Sequence, residues 1–151
     1  MAKKKERRAG VSPELDALAA DLLGDALDIV AEGSKVGVLL VIEDDQGSVA
    51  SYEFSDDGPE QCLEAARERV RKVDRAHGDA EAGISDPQRY ALCYEGAVAD
   101  EWGAYQDALI LEFGERGWRS YSGFSFFEGR GTGDGLAWTD PAPAGELESL
   151  L

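Results

Sequence analysis

The hydrophobic and polar positions in the first part of the chain follow a helical period. Apolar residues recur every three or four positions over Leu15–Ile29, which predicts a helix that runs to about Glu32. Ser12 supplies a capping hydroxyl and Pro13 a backbone angle that is already helical, so the helix should begin there. Gly33 then follows as a typical residue after a helix C-terminus.

A second helical pattern occupies the middle of the chain. The segment from Ser55 to Glu60 contains capping residues, a proline and acids, which are typical of a helix start, and His77-Gly78 marks the end. The second half of this helix carries five basic residues, which suit the negative end of the helix dipole. The predicted buried stripe consists of Leu63, Ala66, Val70 and Val73.

Two extended patterns between the helices predict a β-hairpin. Lys35–Glu43 and Ser48–Phe54 are rich in β-branched and other apolar residues, and a short polar segment with a glycine separates them. The predicted connection is a two-residue loop of Asp45 and Gln46, which sets the register of the two strands. One face of the hairpin would then hold Val36, Val38, Leu40, Ile42, Val49 and Ser51, and the other Leu39, Val41, Ala50 and Tyr52.

The second half of the chain predicts strands at Arg89–Val98, Tyr105–Phe113 and Arg119–Glu128, with room for a short further strand at Leu136–Thr139. The order α-β-β-α-β-β-β indicates an α+β fold, in which an antiparallel sheet of five or six strands packs with two main helices. We divide the chain into a disordered basic arm (1–11), a single α+β domain (12–140) and a tail (141–151) broken by proline and glycine. From residue 146 the tail either docks as a helical turn or hangs free.

Apolar residues occupy both faces of several predicted strands. In the fifth strand Tyr121 and Phe127 point to one side, and Phe124 and Phe126 to the other. A sheet with one solvated face alternates apolar with polar residues, so this sheet needs cover on both faces. Either one helix covers each face (or a bulge shifts the phase), or a partner or a second copy covers one of them. In the second case we expect a homodimer and an interaction surface of Trp118, Tyr121, Phe124, Phe126 and Phe127.

The net charge of the chain excludes nucleic acid as a partner. The chain has 31 acidic and 15 basic residues, a formal net charge of -16. Five of the bases and one acid lie in the first eight residues, so the chain from Ala9 onward has 10 bases against 30 acids. Such a surface repels nucleic acid. No apolar run follows the basic N-terminus as in a signal peptide, and the longest apolar run, Val36–Ile42, is far too short for a membrane span. We therefore expect a cytoplasmic protein without a membrane partner. The lack of Asn and the excess of Arg over Lys favour a bacterial source.

Few residues carry recognisable catalytic or ligand-binding chemistry. Cys62 and Cys93 lie 31 residues apart and His77 is the single histidine, so we predict no metal site, no cofactor and no catalytic residue. The glycine-rich segment Gly129–Gly135 lacks both a Gly-Lys-Ser/Thr signature and a following helix. We therefore interpret it as a flexible hairpin loop in preference to a phosphate-binding loop.

A carboxylate–arginine site near this loop is an alternative. Its candidate residues are Asp107, Glu112, Arg119 and Arg130. The simpler interpretation is structural: if Gly114–Gly117 forms the turn between the fourth and fifth strands, Glu112 lies opposite Arg119 and the two form a cross-strand ion pair.

The sequence therefore favours a non-catalytic, acidic protein-interaction domain of the adaptor, chaperone or immunity type. Its acidic charge would attract basic partners and repel acidic ones. The alternative is a small enzyme or ligand-binding protein that uses the carboxylate–arginine site beside Gly129–Gly135.

Overall fold

The elements of the fold follow the predicted order, with one strand added at the C-terminal end. A computed structural model describes residues 6–151, so Lys3, Lys4 and Lys5 of the predicted basic arm lie outside the described residues. The helices are α1 (Pro13–Ala31) and α2 (Pro59–Arg75), and a 3-10 turn spans Gly133–Gly135. The strands are β1 (Val38–Asp44), β2 (Val49–Phe54), β3 (Pro87–Ala99), β4 (Tyr105–Glu115), β5 (Ser120–Glu128), β6 (Ala137–Trp138) and β7 (Ala142–Leu147).

Local signals placed α1 correctly. The Ser12 hydroxyl accepts a hydrogen bond from the Leu15 amide at 3.1 Å, which satisfies one of the free N–H groups of the first turn. Gly33 has a φ of +93°, the left-handed conformation that glycine adopts after a helix end. In α2 the capping residue is Gly58, which makes no side-chain cap hydrogen bond, and three of the four predicted stripe residues are buried: Ala66, Val70 and Val73.

The strands form one antiparallel sheet in the order β2-β1-β3-β4-β5-β6, with β7 also paired to β5. Helix α1 packs on one face, over β1, β3 and β4, and α2 packs on the other, over β1, β2 and β3. This confirms the α+β fold, and it explains the apolar residues on both faces of β1 and β3. The α1 side of the core contains Ala91 and Cys93 of β3, and the α2 side contains Tyr90 and Leu92 of the same strand.

The predicted register of the β1–β2 hairpin is wrong by one position. Leu40 lies opposite Tyr52 and Ile42 opposite Ala50, so these residues share the α2 side, and Val36 belongs to the core on the α1 side. The loop has three residues instead of two, because Gly47 takes a φ of +87° at its last position. One extra loop residue exchanges the faces of β2, which leaves Val49 and Ser51 exposed.

The predicted register of the β4–β5 hairpin is also wrong. Glu112 lies opposite Ser122, not Arg119, and Phe113 lies opposite Tyr121. Strand β4 extends two residues closer to the turn than the pattern suggested, to Glu115, and the turn centres on Gly117, whose φ is +85°. The Trp118 amide donates a hydrogen bond to the Glu115 carbonyl at 3.0 Å.

The C-terminal tail is neither a helical turn nor free, because it forms β7 and covers part of the core. Ser120 of β5 lies opposite Leu147, and Tyr121 lies opposite Glu146. The last two residues, Leu150 and Leu151, are buried in the core cluster on the α2 side. The sheet therefore has seven strands, where five or six were expected.

Candidate functional site

The aromatic residues predicted to form one interaction surface lie on three parts of the fold. Tyr121 and Phe127 face the α1 side, and Phe127 is buried in the core there. Phe124 and Phe126 face the opposite side of β5, where their half-buried rings meet edge to face with 5.1 Å between centroids. Trp118 lies in the β4–β5 turn. The predicted division of the β5 aromatics between two faces is confirmed, but the five residues do not form a single surface.

Three residues of the predicted carboxylate–arginine site are dispersed. Asp107 is exposed near the start of β4. Arg119 is half-exposed and lies 3.8 Å from Glu146 of β7. Arg130 forms an ion pair with Glu95 of β3. Each arginine therefore has a different acidic partner, and none of these three residues contacts another.

The fourth residue, Glu112, is a buried structural anchor. Its side chain is 6% exposed and accepts two hydrogen bonds from Arg67 of α2, at 3.0 Å from Nε and 2.6 Å from Nη2. The Tyr94 hydroxyl donates a third at 3.0 Å. The hydrogen bond to Glu112 raises the pKa of Arg67, and burial beside the carboxylate raises the pKa of Tyr94. Both partners stay protonated at neutral pH, so both keep donating to Glu112, which links β4 to α2.

A second ion cluster fixes the start of α1. The guanidinium of Arg89 lies 3.1 Å from the Glu43 carboxylate and 3.4 Å from that of Glu115. The Ser12 hydroxyl that caps α1 also donates to Glu115. Among the described residues, Arg89 Nε is the one buried side-chain nitrogen or oxygen without a hydrogen-bond partner. Because both carboxylates are paired with Arg89, the cluster positions α1 on the sheet.

The glycine-rich segment Gly129–Gly135 closes the C-terminal end of α1. It joins β5 to the antiparallel strand β6, as predicted for a hairpin loop. The Gly131 amide donates to the Val30 carbonyl at 3.0 Å, and Arg130 donates to the Ser34 carbonyl. The loop therefore uses these donors on the helix end, and they do not point into an anion site.

An open apolar cleft lies on the α1 side of the sheet, beside α1 and over β4, β5 and β7. One part has a volume of about 580 Å³ and reaches over β5 and β7, and an adjoining part of about 370 Å³ runs along α1. The two parts share Leu111 and Phe113 as their floor. We call this feature the α1 cleft. Its helix wall includes Ala20, Leu23 and Gly24, and its opposite wall includes Trp138 and Pro141.

The chain before α1 closes one end of this cleft. The Gly10 amide donates to the Tyr121 hydroxyl at 2.9 Å, and both residues line the cleft. The backbone of Arg8 pairs with the β4–β5 turn, and its guanidinium lies 4.2 Å from the centroid of the Trp118 ring. Part of the segment assigned to the basic arm thus contacts the domain. The division into arm, domain and tail otherwise stays a prediction.

The charges around the α1 cleft are acidic. Asp16 and Glu146 line it; Glu146 lies 3.8 Å from Arg119, and no Lys or Arg itself lines the cleft among residues 6–151. Pro13–Ala31 contains five acids and no base, and all five acids are exposed. Trp138, which is 56% exposed, places a large apolar surface on the wall. The cleft therefore combines an apolar floor, an accessible aromatic ring and a negative rim.

Sequence reasoning missed this cleft because its walls are far apart along the chain. Two signals were visible: Gly24 interrupts an otherwise strong helix, and Pro141, Pro143 and Gly145 break the pattern near the C-terminus. Only the pairing of β7 with β5 places these segments beside α1.

Other chemistry is limited in the described part of the chain. Cys62 and Cys93 are free and buried, and burial raises the pKa of the Cys93 thiol to about 12. Within residues 6–151, no three His, Cys, Asp or Glu side chains are grouped so that they could hold a metal ion. Neither described helix has the length and apolar character that crossing a bilayer requires.

The α1 cleft is thus the feature from which a function can be argued. In comparisons with known proteins, no family model, no curated protein and no solved structure matches this chain.

Proposed function

We propose that this protein is a non-catalytic protein-interaction domain of the bacterial cytoplasm, of the adaptor, chaperone or immunity type, and that it binds a basic partner in the α1 cleft. The observation that carries the proposal is the exposed Trp138 beside an apolar floor and a negative rim. Tryptophan is enriched among the few residues that supply most of the binding energy of protein interfaces. An acidic body also steers basic partners toward it and repels acidic ones.

The alternative function, a small enzyme or ligand-binding protein with a carboxylate–arginine site, has less support. The Glu112 carboxylate forms an ion pair with Arg67, and the Arg130 guanidinium forms one with Glu95. The loop that would have closed the site is bound to the end of α1. The residues required for that chemistry therefore lack a common location.

Site-specific photocrosslinking tests the proposed function. A photoreactive amino acid at Ala20, on the cleft wall, should crosslink one discrete protein in the source cells. The same group at Ala65, an exposed alanine of α2, is the matched control and should not. Equal adducts from both positions would contradict the assignment of the site.

Titration of the purified partner then measures the role of the exposed ring. Trp138→Ala should weaken binding about thirtyfold, because truncation of an interfacial tryptophan costs about 2 kcal/mol. Trp102→Ala is the control, since Trp102 is 84% exposed and lies outside the cleft. An unchanged affinity for Trp138→Ala, or an equal loss for Trp102→Ala, would show that the cleft is not the binding site.

Self-association is a separate prediction that now depends on β5. The helices cover both faces of β1 and β3, so only the half-buried Phe124 and Phe126 still argue for a partner on the α2 side. A dimer through these rings should tighten as salt screens the repulsion between two acidic bodies. Light scattering tests this: we expect Phe124→Ser to be monomeric, and a wild-type mass of 16.2 kDa at every protein and salt concentration would exclude the dimer.

A further inference from the structure

The wall that α1 contributes to the cleft has a regular distribution of size and charge. Asp16, Ala20, Gly24 and Asp28 follow one another at four-residue steps, so they form one row along the helix. The two central residues are small and exposed, and the two end residues are exposed acids. Twelve residues of helix separate the acids, which corresponds to about 18 Å. Asp16, Ala20 and Gly24 line the cleft and Asp28 does not, so the cleft is accessible in the middle of this row and negative at its Asp16 end.

Gly24 has no role in the internal packing that would explain its presence. A Cβ atom at this position would meet no atom within 4 Å, and its backbone has the ordinary helical conformation. Glycine inside a helix is less favourable than alanine, so the position costs stability. What it provides is a place where another backbone can approach α1 closely.

The opposite wall favours a helical occupant over an extended one. Binding of a strand requires an edge with free backbone N–H and C=O groups. Pro141 and Pro143 lack N–H groups, and Gly145 interrupts the edge strand β7 with a φ of +152°. Trp138 and Pro141 instead present side chains across the cleft from Ala20 and Gly24, which matches the way a groove holds an amphipathic helix.

Taken with the proposed function, on which this inference rests, we propose that the occupant of the α1 cleft is a basic amphipathic helix of at least three turns. Its apolar stripe packs on Phe113 and Trp138, and its backbone crosses the small residues Ala20 and Gly24. A lysine or arginine residue toward one end of the helix meets Asp16 at the cleft wall. An acidic or neutral helix would lack this match.

Peptide display tests the chemistry of the occupant. A library of random peptides of about 20 residues, long enough to span the row as a helix, is selected on the wild-type chain. Clones that also bind the variant Ala20→Gln/Gly24→Gln are discarded. Glutamine favours helix and adds no charge, so the two longer side chains should obstruct the α1 wall of the cleft without unfolding α1. Ala65→Gln on α2 is the matched control and should retain every clone.

The enriched cleft-dependent peptides should have apolar residues at three- and four-residue spacing and a basic residue toward one end. A synthetic representative should gain helical circular dichroism on binding. It should also bind Asp16→Asn about threefold more weakly at low salt, with the difference lost at high salt. Cleft-dependent peptides that are acidic, rich in proline or insensitive to Asp16→Asn would overturn the helix inference while the proposed function stands. If no peptide depends on the cleft, the proposed function fails with it.

Discussion

The ion pair between Arg67 and Glu112 leads to an asymmetric stability prediction, because its partners differ in exposure. The side chain of Glu112 is 6% exposed and that of Arg67 30%. Arg67→Met leaves a buried carboxylate whose remaining partner is the Tyr94 hydroxyl. Glu112→Gln leaves a guanidinium that can turn toward water and toward Glu64, now 3.6 Å away. Arg67→Met should therefore destabilise the fold more than Glu112→Gln does.

The magnitudes follow from this difference. Breaking a buried pair so that one charge is left without a counter-ion costs about 3–5 kcal/mol, and the lower end applies here because Tyr94 still donates a hydrogen bond. We expect Arg67→Met to lower the free energy of unfolding by about 3 kcal/mol. Glu112→Gln should lower it by about 1–2 kcal/mol, the cost of weaker hydrogen bonds. The double variant Arg67→Met/Glu112→Leu should lose less than the sum of both single variants, because it leaves no unpaired charge.

Urea unfolding at neutral pH, followed by tryptophan fluorescence, measures these values. Arg75→Met is the matched control on the same helix. Its partner Glu68 lies 2.7 Å away, but the two side chains are 63% and 53% exposed. Such a surface pair contributes less than about 1 kcal/mol. The reasoning is refuted if Arg67→Met costs no more than Arg75→Met, or if Glu112→Gln costs more than Arg67→Met.

Two further stability predictions come from single positions. Gly24→Ala should raise the free energy of unfolding by about 1 kcal/mol and the thermal midpoint by about 2–4 °C, because the added Cβ is unobstructed and alanine favours helix. Thermal unfolding followed by circular dichroism measures this, and a lower midpoint than that of the wild type would contradict it. The Asp44 carboxylate is buried and accepts hydrogen bonds from the amides of Ser85, Ser48 and Gln46, which lower its pKa below 3.8. Its stabilising effect is therefore complete above the ordinary pKa and is lost as pH falls through the lowered value. The stability difference between wild type and Asp44→Asn should shrink on acidification, and a difference that is constant or grows toward low pH would contradict the assignment.

The existence and order of the main elements could be predicted because their signals are local. The α1 helix depends on a cap, a proline and a stripe within Ser12–Gly33, all of which act over a few residues. The same holds for the extended patterns that became β3, β4 and β5. The apolar residues on both faces of β3 also indicated correctly that both faces need cover.

Register could not be predicted, because it depends on the loop that the folded chain selects. Gly47 and Gly117 each adopt positive φ in these two connections, whereas the predictions placed the first loop at Asp45 and Gln46 and the second turn at Gly114–Gly117. In the β1–β2 hairpin, a register shift of one position exchanges the two faces of β2. In the β4–β5 hairpin, the register places Ser122 opposite Glu112 and so separates Glu112 from Arg119. Glu112 instead pairs with Arg67, a residue 45 positions away on another element.

Of the proposed binding site, the sequence by itself determined the acidic charge, the glycine inside α1 and the breaks near the C-terminus. Tertiary structure alone decided that these features meet. Strand β7 pairs with β5, and α1 packs over β1, β3 and β4, so an apolar floor remains open between the helix and Trp138. Local propensity cannot report such a cleft, because it arises from contacts between segments more than a hundred residues apart, which form only when the sheet closes.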